Sequence, residues 1–310
     1  MPAILTVTLN PAVDVYTSVP QLAPAHKLRC NPERRDPGGG GINVARVIDR
    51  LGGDVEAAFP AGGPIGDFLQ RLVREEGLRA RITPIDGVTR ESFTVREEAS
   101  QNEFRFVLPG PPLSSDELDA CYASVSAGAA RYIVVSGSLP SGAPADAYAR
   151  LAVLAKRNGA RFVLDASGEA LRWALEEGVY LVKPNLRELR ELTNAPLNAE
   201  ADVVEAARTI IRSGKAEIVA VSRGAEGALL ATRDEVWTAE AIKASVVSSV
   251  GAGDSFLAGC VWSLVRGDQI ETAFRYALAA GAAALLQPGT TLCNKADVKR
   301  LAQRAVTRRL

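Results

Sequence analysis

The chain has 310 residues, enough for one large domain with its own core. Its composition, 47% hydrophobic and 23% charged, is that of an ordinary globular enzyme. Lys+Arg and Asp+Glu number 36 each, so the chain lacks the basic excess of a general nucleic-acid binder. The single histidine, His26, and the scattered Cys30, Cys121, Cys260 and Cys293 give no zinc spacing. No G-x-S-x-G elbow supports a Ser-His-Asp hydrolase. No apolar run reaches the roughly 18–20 residues needed to span a bilayer, and Met1–Leu9 lacks the features of a signal peptide. The expected compartment is the cytoplasm, with reduced thiols and no membrane partner.

In chain order, strands are predicted at Ile4–Leu9, Val55–Phe59, Tyr132–Val135, Phe162–Leu164, Val179–Val182 and Ile218–Val221. Several are apolar throughout, as strands covered on both faces of a parallel sheet are. Helices are predicted at Ile42–Leu51, Phe68–Glu76, Ser115–Ala127, Ala145–Asn158, Ala201–Arg212, Asp254–Val265 and Ile270–Leu286. The first has Val44, Ala45, Val47, Ile48 and Leu51 on one face. The alternation implies an α/β layered fold. Two stretches interrupt it. Tyr16–Arg35 is rich in proline and charge, without a helical period. Arg90–Val107 alternates like a hairpin around Ser100-Gln101-Asn102. The two could pair into a small sheet that needs the body, a ligand or another subunit to cover it.

Five segments carry candidate chemistry. In Val250-Gly251-Ala252-Gly253-Asp254, glycines precede a helix start, where free N–H groups bind anions. Asp254 there could take a proton from an attacking hydroxyl, or simply cap the helix. Gly38–Gly41, ahead of Asn43, permits close approach of backbone to a ligand, or forms a flexible turn. Lys183-Pro184-Asn185 leaves a predicted strand end. Asn185 and Glu188, three apart, could serve Mg²⁺ through water or form a capping box. Ser222, Gly224 and Gly227 follow another strand and read most simply as a hairpin turn, with a nucleotide site as the alternative. Lys27, Arg29, Arg90 and Arg105 all fall in the two irregular stretches and could share an anion pocket. Neither a Walker P-loop nor a Rossmann fingerprint is present.

Together these segments resemble the PfkB, or ribokinase-like, carbohydrate kinases. The resemblance rests on Thr8–Asp14 (T-L-N-P-A-V-D), Gly38–Ala45 (G-G-G-G-I-N-V-A), Ser136–Pro140 (S-G-S-L-P), Lys183–Glu188 (K-P-N-x-x-E) and Gly251–Asp254 (G-A-G-D), in family order over nearly the whole chain. Lys27–Cys30 (K-L-R-C) and Phe59–Gly63 (F-P-A-G-G) look most like the 6-phosphofructokinase branch. Gly40 stands where 1-phosphofructokinases tend to carry lysine, while tagatose-6-phosphate kinases share much of the pattern. The resemblance implies a single ribokinase-like domain over residues 1–310: a doubly wound α/β sheet flanked by helices, with a small β-sheet lid from segments about 15–36 and 89–108. It implies ATP-dependent phosphorylation of a sugar phosphate, with Asp254 as base and Gly251, Ala252 and Gly253 as anion hole. Asp14, Gly39, Asn43 and Ser138 would hold sugar hydroxyls, and Lys27, Arg29, Arg90 and Arg105 the existing phosphate. Lys183, Asn185, Ser222, Gly224 and Gly227 would serve ATP, and Glu188 would serve Mg²⁺. Carbonyls of Ser248 and Val250, with the 287–291 loop, would take K⁺. A homodimer through the lid is implied, with Arg90 reaching the partner's site. A non-catalytic sensor of sugar phosphate or nucleotide on the same fold is the competing reading.

Overall fold

The computed structural model describes residues 2–310. Strands β1 to β5 are Ile4–Val7, Ala12–Val19, Arg34–Gly38, Val55–Ala61 and Ala80–Pro84; β6 to β10 are Arg90–Glu97, Glu103–Val107, Tyr132–Ser136, Arg161–Asp165 and Val179–Val182; β11 to β14 are Ala216–Ser222, Ala228–Ala231, Val236–Ala239 and Arg308–Arg309. Helices α1 to α5 are Gly40–Leu51, Gly63–Glu75, Ser115–Ser126, Ala147–Arg157 and Gly168–Glu176; α6 to α10 are Leu186–Thr193, Glu200–Arg212, Ala252–Val265, Ile270–Ala284 and Lys295–Ala302.

The main sheet has ten strands in the order β14-β13-β12-β11-β10-β9-β8-β1-β4-β5. The pairings from β11 through β5 are parallel, and β12 to β14 add an antiparallel edge. Strand β1 is buried at every position, because helices cover both faces. From β1 the chain winds outward through β4 and β5. It then returns to β8, on the other side of β1, and winds outward again. The carboxyl ends of β1 and β8 therefore flank a topological switch point, where open α/β sheets leave a crevice.

Strands β3-β2-β6-β7 form a second, smaller sheet. The hairpin read from alternation is β6–β7, paired antiparallel from Ser92↔Val107 to Arg96↔Glu103. The stretch read as irregular from Tyr16 to Arg35 instead begins and ends in strand, as the last part of β2 and the start of β3. Pro37 is tolerated in β3 because that strand lies at the sheet edge. Helix α2 starts at Gly63, earlier than its apolar period suggests, with Pro64 in its first turn.

Arg46 of α1 ties the small sheet to the body. Its side chain is 1% exposed. Nη1 donates to the carbonyls of Pro37 in β3 and Thr290, each at 3.0 Å. Nε donates to Glu76 Oε2 at 2.9 Å, and Asp36 lies 3.7 Å from Nη2. A charge this deep persists because every face of the guanidinium meets an acceptor. Arg46→Met is expected to cost about 3–5 kcal/mol in urea unfolding, since it strands Glu76 and two buried carbonyls. The partly exposed Arg50, which also pairs with Glu76, should cost under about 1 kcal/mol when changed to Met. Equal losses would contradict this account of the network.

Candidate active site

Two helix starts meet at the crevice. Helix α1 begins after Gly39, whose φ is 110°, and α8 begins after Gly251, in the left-handed region at φ 75°. At Gly39 a side chain would both strain the backbone and press within 2.7 Å of the Thr8 methyl. Among the described residues no side chain caps either helix. Their leading N–H groups are thus suited to an anion. Asp254 is the third residue of α8, so the simple N-cap reading does not hold. Its Oδ2 instead accepts from Asn43 Nδ2 of α1 at 2.9 Å.

Burial pushes the Asp254 carboxyl up to about 6, and the negative Asp165 nearby adds to this. The Asn43 hydrogen bond and the positive charges of Lys183 and Arg105 act against the rise. Lys183, 5% exposed, follows β10 and pairs with Asp165 at 3.0 Å. Burial would lower the lysine's pKa, but Asp165 outweighs it and the ammonium form is favoured. A Cβ added to Gly253 would lie 3.7 Å from Lys183 Nζ, which puts the lysine beside the α8 start. Asp165 was not among the candidates read from sequence. The signal was present: a carboxylate at the carboxyl end of a predicted parallel strand.

Asn185 and Glu188 form a reciprocal capping box at α6. Asn185 Oδ1 accepts from Glu188 N–H, and Glu188 Oε2 accepts from Asn185 N–H, both at 2.9 Å. Glu188 keeps its second oxygen free of these bonds. Burial, with Asp165 adding to it, raises its pKa. Ser222 bridges to Asn185 at the adjoining strand end. Gly224 and Gly227 form the tight turn between β11 and β12, as the simpler reading has it. Among the described residues no group of three or more His, Cys, Asp or Glu could hold a metal.

The small sheet supplies the other wall. Register puts Asp14, Ser92 and Val107 on one face, together with Tyr16, Thr94 and Arg105. Burial pushes the Asp14 carboxyl up to about 6, although the positive charges of Arg105, Arg90 and Arg46 oppose it. Arg90 is held by the Asn10 and Leu108 carbonyls, each at 3.0 Å. Its charge acts on Asp14 of its own chain. Ser138 accepts from Asn10 Nδ2 at 3.1 Å, at the end of β8. Lys27 and Arg29 do not join this group. They lie on an exposed segment, with no hydrogen-bond or ion-pair partner among the described residues. The four basic residues therefore split into two pairs.

Ser248 and Val250 precede the α8 start. The N–H of Val247 donates to the Leu285 carbonyl at 2.7 Å, laying this loop along the 287–291 turn. Arg34, Arg46 and Arg50 occupy the carbonyls of Pro288, Thr290 and Thr291. The Gln287 and Gly289 carbonyls receive no such donor among the described residues.

A buried carboxylate just inside a free helix start, above the switch point of an α/β sheet, with a lysine–aspartate pair beside it, defines a phosphoryl-transfer enzyme of ribokinase-like fold. The pfkB family carbohydrate kinase profile matches residues 8–297, and the chain belongs to that family. It is 46% identical over 301 residues to ATP-dependent 6-phosphofructokinase isozyme 2 of Mycobacterium tuberculosis (strain H37Rv), covering 96% of this chain and 88% of that protein. The structure of Escherichia coli phosphofructokinase-2 in complex with fructose-6-phosphate superposes with a TM-score of 0.92 at 38% identity, covering 98% and 99% of the two chains. The same protein in complex with potassium gives 0.93 at 40% identity over the same shares.

The raised Asp254 carboxyl has a stability consequence. Its folded pKa, about 6, exceeds the ordinary 3.8. The burden is absent below pH 4 and complete above pH 6, so this group lowers stability as pH rises between them. The difference corresponds to about 3 kcal/mol. Asp254→Asn, which keeps an acceptor for Asn43, should raise Tm by several degrees at pH 7.5 and by much less at pH 4. An unchanged or lower Tm at pH 7.5 would contradict it.

Proposed function

We propose that the chain transfers the γ-phosphoryl group of ATP to the 1-hydroxyl of fructose 6-phosphate, giving fructose 1,6-bisphosphate and ADP. The observation that carries this reading is the pairing of two features in one crevice. One is the buried Asp254 at an open helix start. The other is Arg90 and Arg105 beside Asp14, a positive wall that an unphosphorylated sugar would not need. The 46% identical relative bears the name of this activity, and the structurally similar E. coli enzyme holds fructose 6-phosphate.

On this reading Asp14, Gly39, Asn43 and Ser138 hold the sugar hydroxyls, and Arg90 and Arg105 clamp the existing phosphate. Asp254 takes the proton as the 1-hydroxyl attacks the γ-phosphorus in line, and the proton ends on its carboxyl. The N–H groups of Gly251, Ala252 and Gly253 receive the charge spread over the transferring oxygens. Lys183 adds positive charge there, held in place by Asp165. Asn185, Ser222, Gly224 and Gly227 line the nucleotide at the neighbouring strand ends. Mg²⁺ on ATP would neutralise phosphate charge, with Glu188 and Asp165 as the residues to hold its waters. For K⁺ the candidates are carbonyls of Ser248 and Val250, with Gln287 and Gly289 across the loop.

The small sheet acts as the lid. Its edge strand β7 exposes Phe104 and Phe106, with Val107 and Leu108 beside them, and Leu28 is exposed on the 21–33 segment. An open edge with apolar residues is a pairing surface, so the lid joins a second subunit. Lys27 and Arg29, without partners among the described residues of their own chain, then complete the partner's phosphate pocket. The cytoplasm fits the four free cysteines.

The test compares kcat/KM for fructose 6-phosphate, tagatose 6-phosphate, fructose 1-phosphate and fructose with MgATP and K⁺. Fructose 6-phosphate is expected to lead. A lead for fructose 1-phosphate or tagatose 6-phosphate would move the chain to a sister activity. No turnover but measurable binding would make it a sensor. In the favoured case kcat/KM should fall below about pH 6, as Asp254 and Asp14 take up protons together. A rate that stays flat down to pH 5 would contradict the role of these carboxylates.

A further inference from the structure

Strand β7 carries a second charged residue on the face that bears Arg105. Register pairs Glu103 with Arg96 and Ser18, two positions along from the row of Arg105, Thr94 and Tyr16. Glu103 thus faces the crevice, as Arg105 does. Its Oε2 accepts from Ser248 Oγ at 2.9 Å, while its Oε1 is buried with no partner among the described residues. Ser248 is 1% exposed, and its Oγ in turn accepts from the Val250 N–H at 3.2 Å. Val250 is followed by Gly251, the residue from which α8 and its free N–H groups start. Among the described residues, this is the only side-chain hydrogen bond from β7 to the body of the protein.

We propose that Glu103 is a positioning residue: by holding Ser248, it makes closure of the small sheet set the Ser248–Val250 loop, and hence the N–H groups at the start of α8. Arg105 and Glu103 sit on one strand, so a phosphate that holds Arg105 also keeps Glu103 on Ser248. The sheet's position is thereby coupled to the geometry that receives the transferring phosphoryl group. A half-paired buried carboxylate is a costly way merely to fill space, and a hydrocarbon side chain would do that better. The inference deepens the kinase reading of the same site and rests on it.

The experiment uses the full-length protein with three variants: Glu103→Ala, Glu103→Gln and Ser248→Ala, plus the Glu103→Ala/Ser248→Ala double. Unchanged Tm values would show that the variants are folded. Glu103→Ala should lower kcat with fructose 6-phosphate roughly tenfold, with less than about threefold change in its KM, because misplaced donors act on the transfer step. Glu103→Gln, which can still accept from Ser248, should recover most of the rate. The double variant should be no worse than the more impaired single one. Independently of turnover, amide exchange across residues 247–251 should quicken in Glu103→Ala and not in Glu103→Gln. Wild-type rates and exchange in Glu103→Ala would overturn the proposal. So would a Gln variant as impaired as Ala, which would make charge rather than the bond the operative feature. If the wild-type protein turns over no sugar phosphate, the kinase reading fails on that ground, and the exchange data still decide whether Glu103 orders the loop.

Discussion

The hydrogen bond from Asn43 to Asp254 joins two helix starts that come from opposite ends of the chain. Much of the surrounding structure keeps that contact in place. The run of glycines lets α1 begin against β1, with the Ile42 N–H donating to Thr8 Oγ1 at 2.9 Å. Arg46, one turn further along α1, reaches the Pro37 and Thr290 carbonyls and also lies 3.4 Å from Asn43 Oδ1. The amide of Asn43 is thereby biased to present its N–H₂ to the carboxylate. Helix α8 is buried almost throughout and packs tightly on α9, where a Cβ at Gly259 would overlap the Tyr276 carbonyl. The carboxylate therefore cannot retreat to solvent. It persists as a weak acid that is nonetheless ionised at neutral pH, which is the state a proton acceptor needs.

The burial that raises Asp254 also explains the charges placed around it. Asp165 pushes the carboxyl further up, yet it also holds Lys183 charged and in place. The fixed positive groups, Lys183 at one side and Arg90 and Arg105 at the other, are partly neutralised by Asp165 and Asp14. The charges of Asp254 and Arg105 both act on Asp14, and Arg105 acts on Asp254 too, so the two walls of the crevice are electrostatically one unit. The position of the small sheet, which carries Arg105, therefore affects the charge balance at Asp254.

Much of the main sheet was legible in the sequence because its parallel strands are short apolar runs buried on both faces, and the helices between them keep one apolar stripe. The small sheet was only half legible. Its hairpin alternates visibly, but β3 reads Arg34-Arg35-Asp36-Pro37-Gly38, a sequence that pairing with β2 turns into strand against its propensity. At the site, Gly251–Asp254 and Gly39–Asn43 stood out as glycines ahead of apolar helices. Asp165 did not, because its meaning depends on β9 and β10 being neighbours that end together, which brings it to Lys183. The four basic residues looked like one cluster because they share two irregular stretches. Tertiary structure separates Arg90 and Arg105, on strands, from Lys27 and Arg29, on an exposed segment. The Asn185–Glu188 spacing left a capping box and a metal role open, and the observed box leaves one carboxylate oxygen free for the second.

The central claim is that Asp254 accepts the proton during transfer while contributing little to holding the sugar phosphate. Its most direct test is single-turnover transfer from ATP to fructose 6-phosphate by Asp254→Asn, alongside calorimetric binding of fructose 6-phosphate to the same variant. The transfer rate is expected to fall at least ~10²-fold, with affinity changed by less than about threefold. A near-normal transfer rate in the variant would contradict it and move the base elsewhere in the crevice.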